Sequence, residues 1–266
     1  MSTPAIYADI VYATTPQREL RMDIRVPQSP DGKPLPIVLF IPMGGMRICD
    51  KESAPWWFTD YGFAMASIEC RVRDEAIAPA AVHDCKAAVR FLRRYAADYG
   101  FNGNAIGAWG RSAGGLLASL LATSGDRPEL RVKPDDGISD AIQAACDQCG
   151  APHDFFYFTR ADIIEKYAGV AENIRLYLGG EIAAQPELAR LVSPSSYISP
   201  QCPPVIIFHG DQDTAVPLDE SIDFHQKLLG AGVDSTLHAI KGGGHSLEEA
   251  IIRDDIVAFF RRVLVE

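Results

Sequence analysis

Gly110-Arg111-Ser112-Ala113-Gly114 follows the apolar run Ala105-Ile106-Gly107-Ala108-Trp109 and leads into Gly115-Leu116-Leu117-Ala118-Ser119-Leu120-Leu121-Ala122. The three pieces read as strand, tight turn and helix. Small residues flank Ser112 because such a turn forces it into a strained backbone, where a neighbour's Cβ would collide with the adjoining strand or helix. The turn lifts the serine oxygen clear of the sheet and sets the Ala113 N–H at a helix N-terminus, where a negative oxygen is stabilised. A bare G-x-S-x-G recurs by chance. Between a strand and a helix it points to the nucleophile of a serine hydrolase.

The same alternation extends to either side. Buried-strand runs recur at 37–41, 63–68, 105–109, 142–146, 205–209 and 235–240, with helical patterns between them. In 81–97, Val82, Cys85, Val89, Leu92 and Ala96 keep a three-to-four spacing, while Lys86, Arg90, Arg93 and Arg94 fill the other face. The stretches 221–229 and 248–264 are patterned alike. Strands alternating with helices predict an α/β fold with a mostly parallel sheet covered on both faces. Alternation in 7–12 and 20–26 adds an antiparallel pair at the start, joined through 14–17. One stretch breaks the rhythm: 154–199 is helical and aromatic, and is expected to be a small cap inserted into a single domain. Ordinary helix packing accounts for most of its aromatics.

With 266 residues, 47% hydrophobic and 23% charged, the chain suits one α/β domain with a full core. A net charge of -10 disfavours nucleic acid as a partner. No apolar run reaches membrane-spanning length, and residues 1–9 have neither the basic start nor the apolar stretch of a signal peptide. A cytoplasmic protein acting on a small molecule is expected; oligomeric state is not legible. Of the six cysteines, Cys70 and Cys85 read as core residues. Cys146 and Cys149 have C-x-x-C spacing, but no second pair or nearby histidine completes a metal set, so no metal or cofactor is expected.

A serine hydroxyl needs a base to take its proton and an acid to orient that base. Six histidines are available. His83 and His225 fall in helices, His238 in a strand, and His209 at a strand end beside a glycine, where it reads as a structural turn residue. His153 lies in a loop. His245 sits in Lys241-Gly242-Gly243-Gly244-His245-Ser246, between the last strand and the last helix, where a mobile loop can lay an imidazole over the nucleophile. It is preferred over His153. In Phe208-His209-Gly210-Asp211-Gln212-Asp213, Asp211 is read as a turn cap. Asp213 lies further into the loop, with reach to His245. The order Ser112, Asp213, His245 is that of α/β-hydrolases, unlike chymotrypsin or subtilisin.

On these motifs the chain resembles the α/β-hydrolase superfamily, and within it the BD-FAE-like esterases related to the hormone-sensitive lipase group. The resemblance rests on 37–51, 82–115, 209–217 and 241–245, with Leu178-Gly179-Gly180 and Leu191-Val192-Ser193-Pro194 between them. It implies a serine ester hydrolase working through an acyl-enzyme on short acyl esters, including acetyl or feruloyl groups on polysaccharide. It also implies an oxyanion site built from the N–H groups of Gly44, Gly45 and Ala113. The chain departs from the family in reading Pro42-Met43-Gly44-Gly45-Met46 where relatives carry His-Gly-Gly-Gly. Met43 brings a Cβ to a glycine position, and the loop is expected to bend differently. Arg111 is an unusual residue for the turn, expected to be solvated or ion-paired. Two alternatives stay open on the same scaffold: an amidase or formamidase, and a catalytically inactive ligand-binding protein.

Overall fold

A computed structural model describes residues 4–130 and 136–265. Residues 1–3, part of the stretch read for a leader, lie outside the described residues. The strands are β1 (Ala5–Thr14), β2 (Glu19–Val26), β3 (Leu35–Ile41), β4 (Met43–Gly44), β5 (Ile48–Cys49), β6 (Ala64–Ile68), β7 (Phe101–Arg111), β8 (Ala144–Gln148), β9 (Val205–Gly210) and β10 (Ser235–Ile240). The helices are α1 (Ala80–Tyr99), α2 (Ala113–Thr123), α3 (Ala161–Lys166), α4 (Ala168–Leu178), α5 (Pro186–Leu191), α6 (Leu218–Gly230) and α7 (Glu249–Leu264). Eight strands form one sheet in the order β1-β2-β6-β3-β7-β8-β9-β10. The pairs from β6 to β10 are parallel, and β2 is antiparallel to both β1 and β6. This is the α/β-hydrolase arrangement, and each predicted strand run falls in that sheet. The short hairpin β4–β5 stands apart from it and was not foreseen.

Alternation along β3 divides the core in two. Ile37, Leu39 and Ile41 pack with α1, α2 and α6, whereas Val38 and Phe40 join Trp109 and the apolar face of α7. Both faces are therefore covered, and each fully buried Phe or Leu contributes about 1.5–3 kcal/mol. One residue departs from the sequence pattern. Lys86, assigned to the polar face of α1, is fully buried; its Nζ donates to Asp140 Oδ1 and to the Ser124 carbonyl, both at 2.7 Å. That face of α1 meets a loop rather than water, and the cation is satisfied by one carboxylate and one carbonyl.

Between β8 and β9 the chain runs through 3-10 turns at Phe155–Thr159, Ile182–Ala184 and Pro194–Tyr197 and through α3, α4 and α5. Phe155, Phe158, Tyr167 and Tyr177 are buried there. Among the described residues no helix is long and apolar enough to cross a membrane.

Candidate active site

Ser112 joins β7 to α2 at φ 54° and ψ −124°, a conformation that costs a non-glycine residue about 1–3 kcal/mol. The surroundings hold it there. Ser112 N–H donates to the Gln148 carbonyl at 2.8 Å, and its own carbonyl accepts from Leu116 N–H at 3.1 Å. The glycines are required by space. A Cβ on Gly110 would stand 2.0 Å from the Gly114 carbonyl oxygen, and one on Gly114 would stand 2.0 Å from that of Ile41. A Cβ on Gly115 would meet Asp147 Oδ1 at 2.5 Å.

Tertiary folding brings the three widely spaced residues together. His245 Nε2 lies 2.9 Å from Ser112 Oγ, and His245 Nδ1 lies 2.8 Å from Asp213 Oδ2. A carboxylate can only accept, so Nδ1 carries the proton and Nε2 accepts the serine hydroxyl. Asp213 Oδ1 takes the N–H groups of Ala215 and Val216 at 2.8 and 2.9 Å. Burial alone would push this carboxyl up. Hydrogen bonds from His209, His245 and the Val216 N–H outweigh it and hold the group well below the usual carboxylate range.

Asp211 has a different task. Its Oδ1 accepts from Gly242 N–H at 2.7 Å, and Gln212 N–H donates to the Gly243 carbonyl. The acid loop thus tethers the loop that carries His245. A Cβ on Gly210 would stand 2.2 Å from the Gly243 oxygen, so this contact also needs a glycine. His209 is more than a turn residue. Its Nε2 faces both Asp213 Oδ2 and the Val216 carbonyl at 3.3 Å, while Ser221 Oγ lies 2.8 Å from Nδ1. Two acceptors place the proton on Nε2, and Nδ1 accepts the Ser221 hydroxyl. His209 therefore braces the same Asp213 oxygen that His245 meets.

The other histidines lie elsewhere. His225 meets Ser235 Oγ, His238 stacks on Phe208, and His83 is carried by α1. His153 is buried on Asp147, 2.7 Å from Oδ2. Arg111 is ion-paired with Glu249, and its guanidinium lies over the Phe40 and Trp109 rings. Burial pushes both the Cys146 and Cys149 thiols up, the latter to about 12, which keeps them protonated at neutral pH. Among the described residues one group has metal-ligand character: Cys149, His209 and Asp213, with ligand atoms within 4.8 Å of one another. The imidazole and carboxylate of that group are already committed to the hydrogen bonds above.

A cavity of about 40 Å³ opens beside Ser112, walled by Gly45, Met46, Ala113, Pro152, Phe155 and one face of α4, among others. Gly45 (φ 54°) and Met46 (φ 55°) are successive left-handed residues, and Arg47 N–H closes the bend on the Gly44 carbonyl at 2.9 Å. Gly44 itself is paired with Ile48 in the hairpin and exposed, and it is not among the residues lining the cavity. The reason is that the chain leaves β3 as a short strand, so the bend reaches the cavity one residue later than the glycine pattern implies.

The BD-FAE family model matches residues 22–228. The chain belongs to the BD-FAE family. As a BD-FAE member it is 28% identical over 249 residues to the esterase LipQ of Mycobacterium tuberculosis, covering 91% of this chain and 58% of the relative. It spans about half the length of the curated relatives it matches. Solved structures are similar as well. A bifunctional GH43-CE protein of Bacteroides eggerthii superposes with a TM-score of 0.80 at 27% identity, covering 97% of this chain and 38% of that one. An acetyl ester-xyloside bifunctional hydrolase of Caldicellulosiruptor lactoaceticus gives 0.74 at 26% identity, covering 92% and 85%.

Proposed function

We propose that this BD-FAE protein is a carboxylic ester hydrolase that works through an acyl-enzyme on Ser112 and takes short acyl groups. The observation that carries the reading is the unbroken relay from Ser112 through His245 to Asp213, mounted on a strained turn at the N-terminus of α2. His245 Nε2 takes the hydroxyl proton as Oγ adds to the ester carbonyl, and Asp213 steadies the imidazolium. The collapsing intermediate takes the proton back on its leaving alkoxide, and water then repeats the sequence to release the acid. N–H groups of Ala113 and of the Gly45–Met46 bend, which line the cavity, are assigned to the oxyanion, and Gly44, paired in the hairpin, drops out of the set. LipQ's description as an esterase supports the reaction class. The small cavity and the acetyl ester hydrolase among the structural neighbours support a short acyl group.

The test is a p-nitrophenyl ester series from acetate to decanoate, run beside an N-formyl arylamide and a fluorophosphonate probe. Labelling at Ser112 with kcat/KM falling steeply beyond the shortest chains is expected. Faster turnover of the formamide would replace the ester reading with an amidase, and no labelling at Ser112 would overturn the nucleophile.

A further inference from the structure

Val170, Asn173, Ile174 and Tyr177 of α4 recur at helical spacing along the wall of the Ser112 cavity. Asn173 brings the primary amide of that wall, and it is held from behind. Arg73 Nη1 donates to Asn173 Oδ1 and also to the Gly45 carbonyl at 3.2 Å. Arg73 N–H donates to the Met46 carbonyl at 2.7 Å. A guanidinium has only donors, so it takes the amide oxygen and turns the Nδ2 end away from itself. That end lies against the bend: Nδ2 is 3.1 Å from the position a Cβ on Gly45 would occupy, and Oδ1 is 3.9 Å from it. Among the described residues Nδ2 donates to no protein acceptor. Ser112 and Asn173 line the same small cavity, so a carbonyl carried on Ser112 shares it with the Asn173 amide.

We propose that Asn173 Nδ2 donates to the substrate carbonyl oxygen as it becomes an oxyanion, and that Arg73 is the positioning residue that orients the amide. The inference rests on the hydrolase reading above. When Ser112 Oγ bonds to the carbonyl carbon, the π pair moves onto oxygen and the serine proton goes to His245. Asn173 keeps both of its protons and supplies a fixed dipole that costs no reorganisation. The competing role is a mere strut between α4 and the 44–46 bend.

Asn173→Ala and Asn173→Asp separate the two roles by kcat and KM on p-nitrophenyl acetate. Asp keeps an oxygen for Arg73 and sets a negative oxygen where Nδ2 stood. An oxyanion donor predicts kcat in the order parent, Ala, Asp, with Ala down by about 10²-fold and KM within about threefold. A strut predicts the reverse order, because Asp strengthens the Arg73 contact that Ala deletes. Arg73→Met should lower kcat in the same direction and add little to Asn173→Ala, since the two act as one unit. The rate of fluorophosphonate labelling at Ser112 on the same variants gives a second readout that is independent of turnover. If the parent turns over and Asn173→Asp matches or exceeds Asn173→Ala, the Asn173 assignment alone fails. A parent that neither turns over nor labels overturns the hydrolase reading and this one with it.

Discussion

His245 meets Asp213 at 2.8 Å and His153 meets Asp147 at 2.7 Å, yet the two pairs sit in opposite surroundings. The His245 side chain is 30% exposed, and its second nitrogen faces Ser112. His153 is 1% exposed and stacked flat on Phe224 at 4.3 Å, and its Nδ1 has no partner among the described residues. A serine is present there too, but in another order. Ser119 Oγ donates to Asp147 Oδ2 at 2.5 Å, so the carboxylate rather than the imidazole stands in the middle. Proton abstraction needs the base between nucleophile and acid, and an opening to substrate. The Asp147 pair has neither, and it supports α2 from beneath: Gly150 N–H and Ser119 bind the same carboxylate that presses on Gly115. Burial pushes the Asp147 carboxyl up, and the contacts from His153, Ser119 and Gly150 bring it below its ordinary value. One pair has the order and the opening that the proposed reaction needs, and the other holds the base of α2 in place.

The sharpest way to break this division is to exchange its consequences. Ser112→Ala should lower kcat by about 10⁶-fold, and His245→Ala or Asp213→Ala should leave a small residual activity, with unfolding midpoints close to the parent's. Asp211→Ala should be far milder. Urea unfolding and steady-state kinetics on the same preparations check both halves. If Asp211→Ala equalled Ser112→Ala in severity while Asp213→Ala stayed active, the acid would be misassigned.

His153→Phe should do the opposite. It keeps the stack on Phe224 and removes the hydrogen bond to a fully buried carboxylate, so stability should drop by about 3–5 kcal/mol. In the fraction that stays folded, kcat should remain within about tenfold. A loss of kcat on the scale of His245→Ala, with stability unchanged, would make His153 a participant in the chemistry.

Glu220 sharpens the comparison through pH. It is 1% exposed at the start of α6 and accepts N–H groups from His153 and Asp154. Burial pushes its carboxyl from 4.5 up to about 7, against the opposing pull of His153 and those N–H groups. The folded state therefore holds the proton more tightly than the unfolded chain. Its contribution is fully present below about pH 4.5, is lost as pH rises through about 7, and amounts to about 3 kcal/mol at roughly 1.4 kcal/mol per pH unit. Glu220→Gln should be more stable than the parent at pH 8 by up to that amount, with the gap closing toward pH 4.5. A gap that stays constant across this range would show that Glu220 does not titrate in the folded protein.

Gly45→Val should lower kcat by less than the loss of a triad residue, with a strained backbone that costs about 1–3 kcal/mol of stability. Its Cβ would press on Asn173 Nδ2 at 3.1 Å from a backbone at φ 54° that valine tolerates poorly. A displaced donor costs up to about 3–4 kcal/mol in the transition state, or 10² to 10³ in rate, with little change in KM. Hydrolysis at the parent rate would mean that the oxyanion is held elsewhere.

The residues legible in advance were those constrained by their immediate neighbours. The glycines of 110–115 announce Ser112 because the collisions they avoid are with the strand before and the helix after. His245 and Asp213 were legible because loops past parallel strand ends are few and only so many histidines lie in them. The unbroken apolar run of 37–41 announced a strand buried on both faces, and its recurrence between helical patterns announced a mostly parallel sheet. The order of strands within that sheet came only from the structure. Other features carry no local signature. Arg73 and Asn173 are 100 residues apart, and Arg111 and Glu249 are 138 apart. A lysine on the charged face of a helix gives no sign that a loop covers it, as Asp140 and Ser124 do Lys86. Nor does a histidine beside an aspartate in the fold reveal, from its own segment, whether solvent or Phe224 lies across its ring. Strand, turn and helix arise from steric and hydrogen-bonding limits that act within a few residues of chain. The partner of a long polar side chain is decided only when distant segments pack and remove water, because only then must each charge find its opposite.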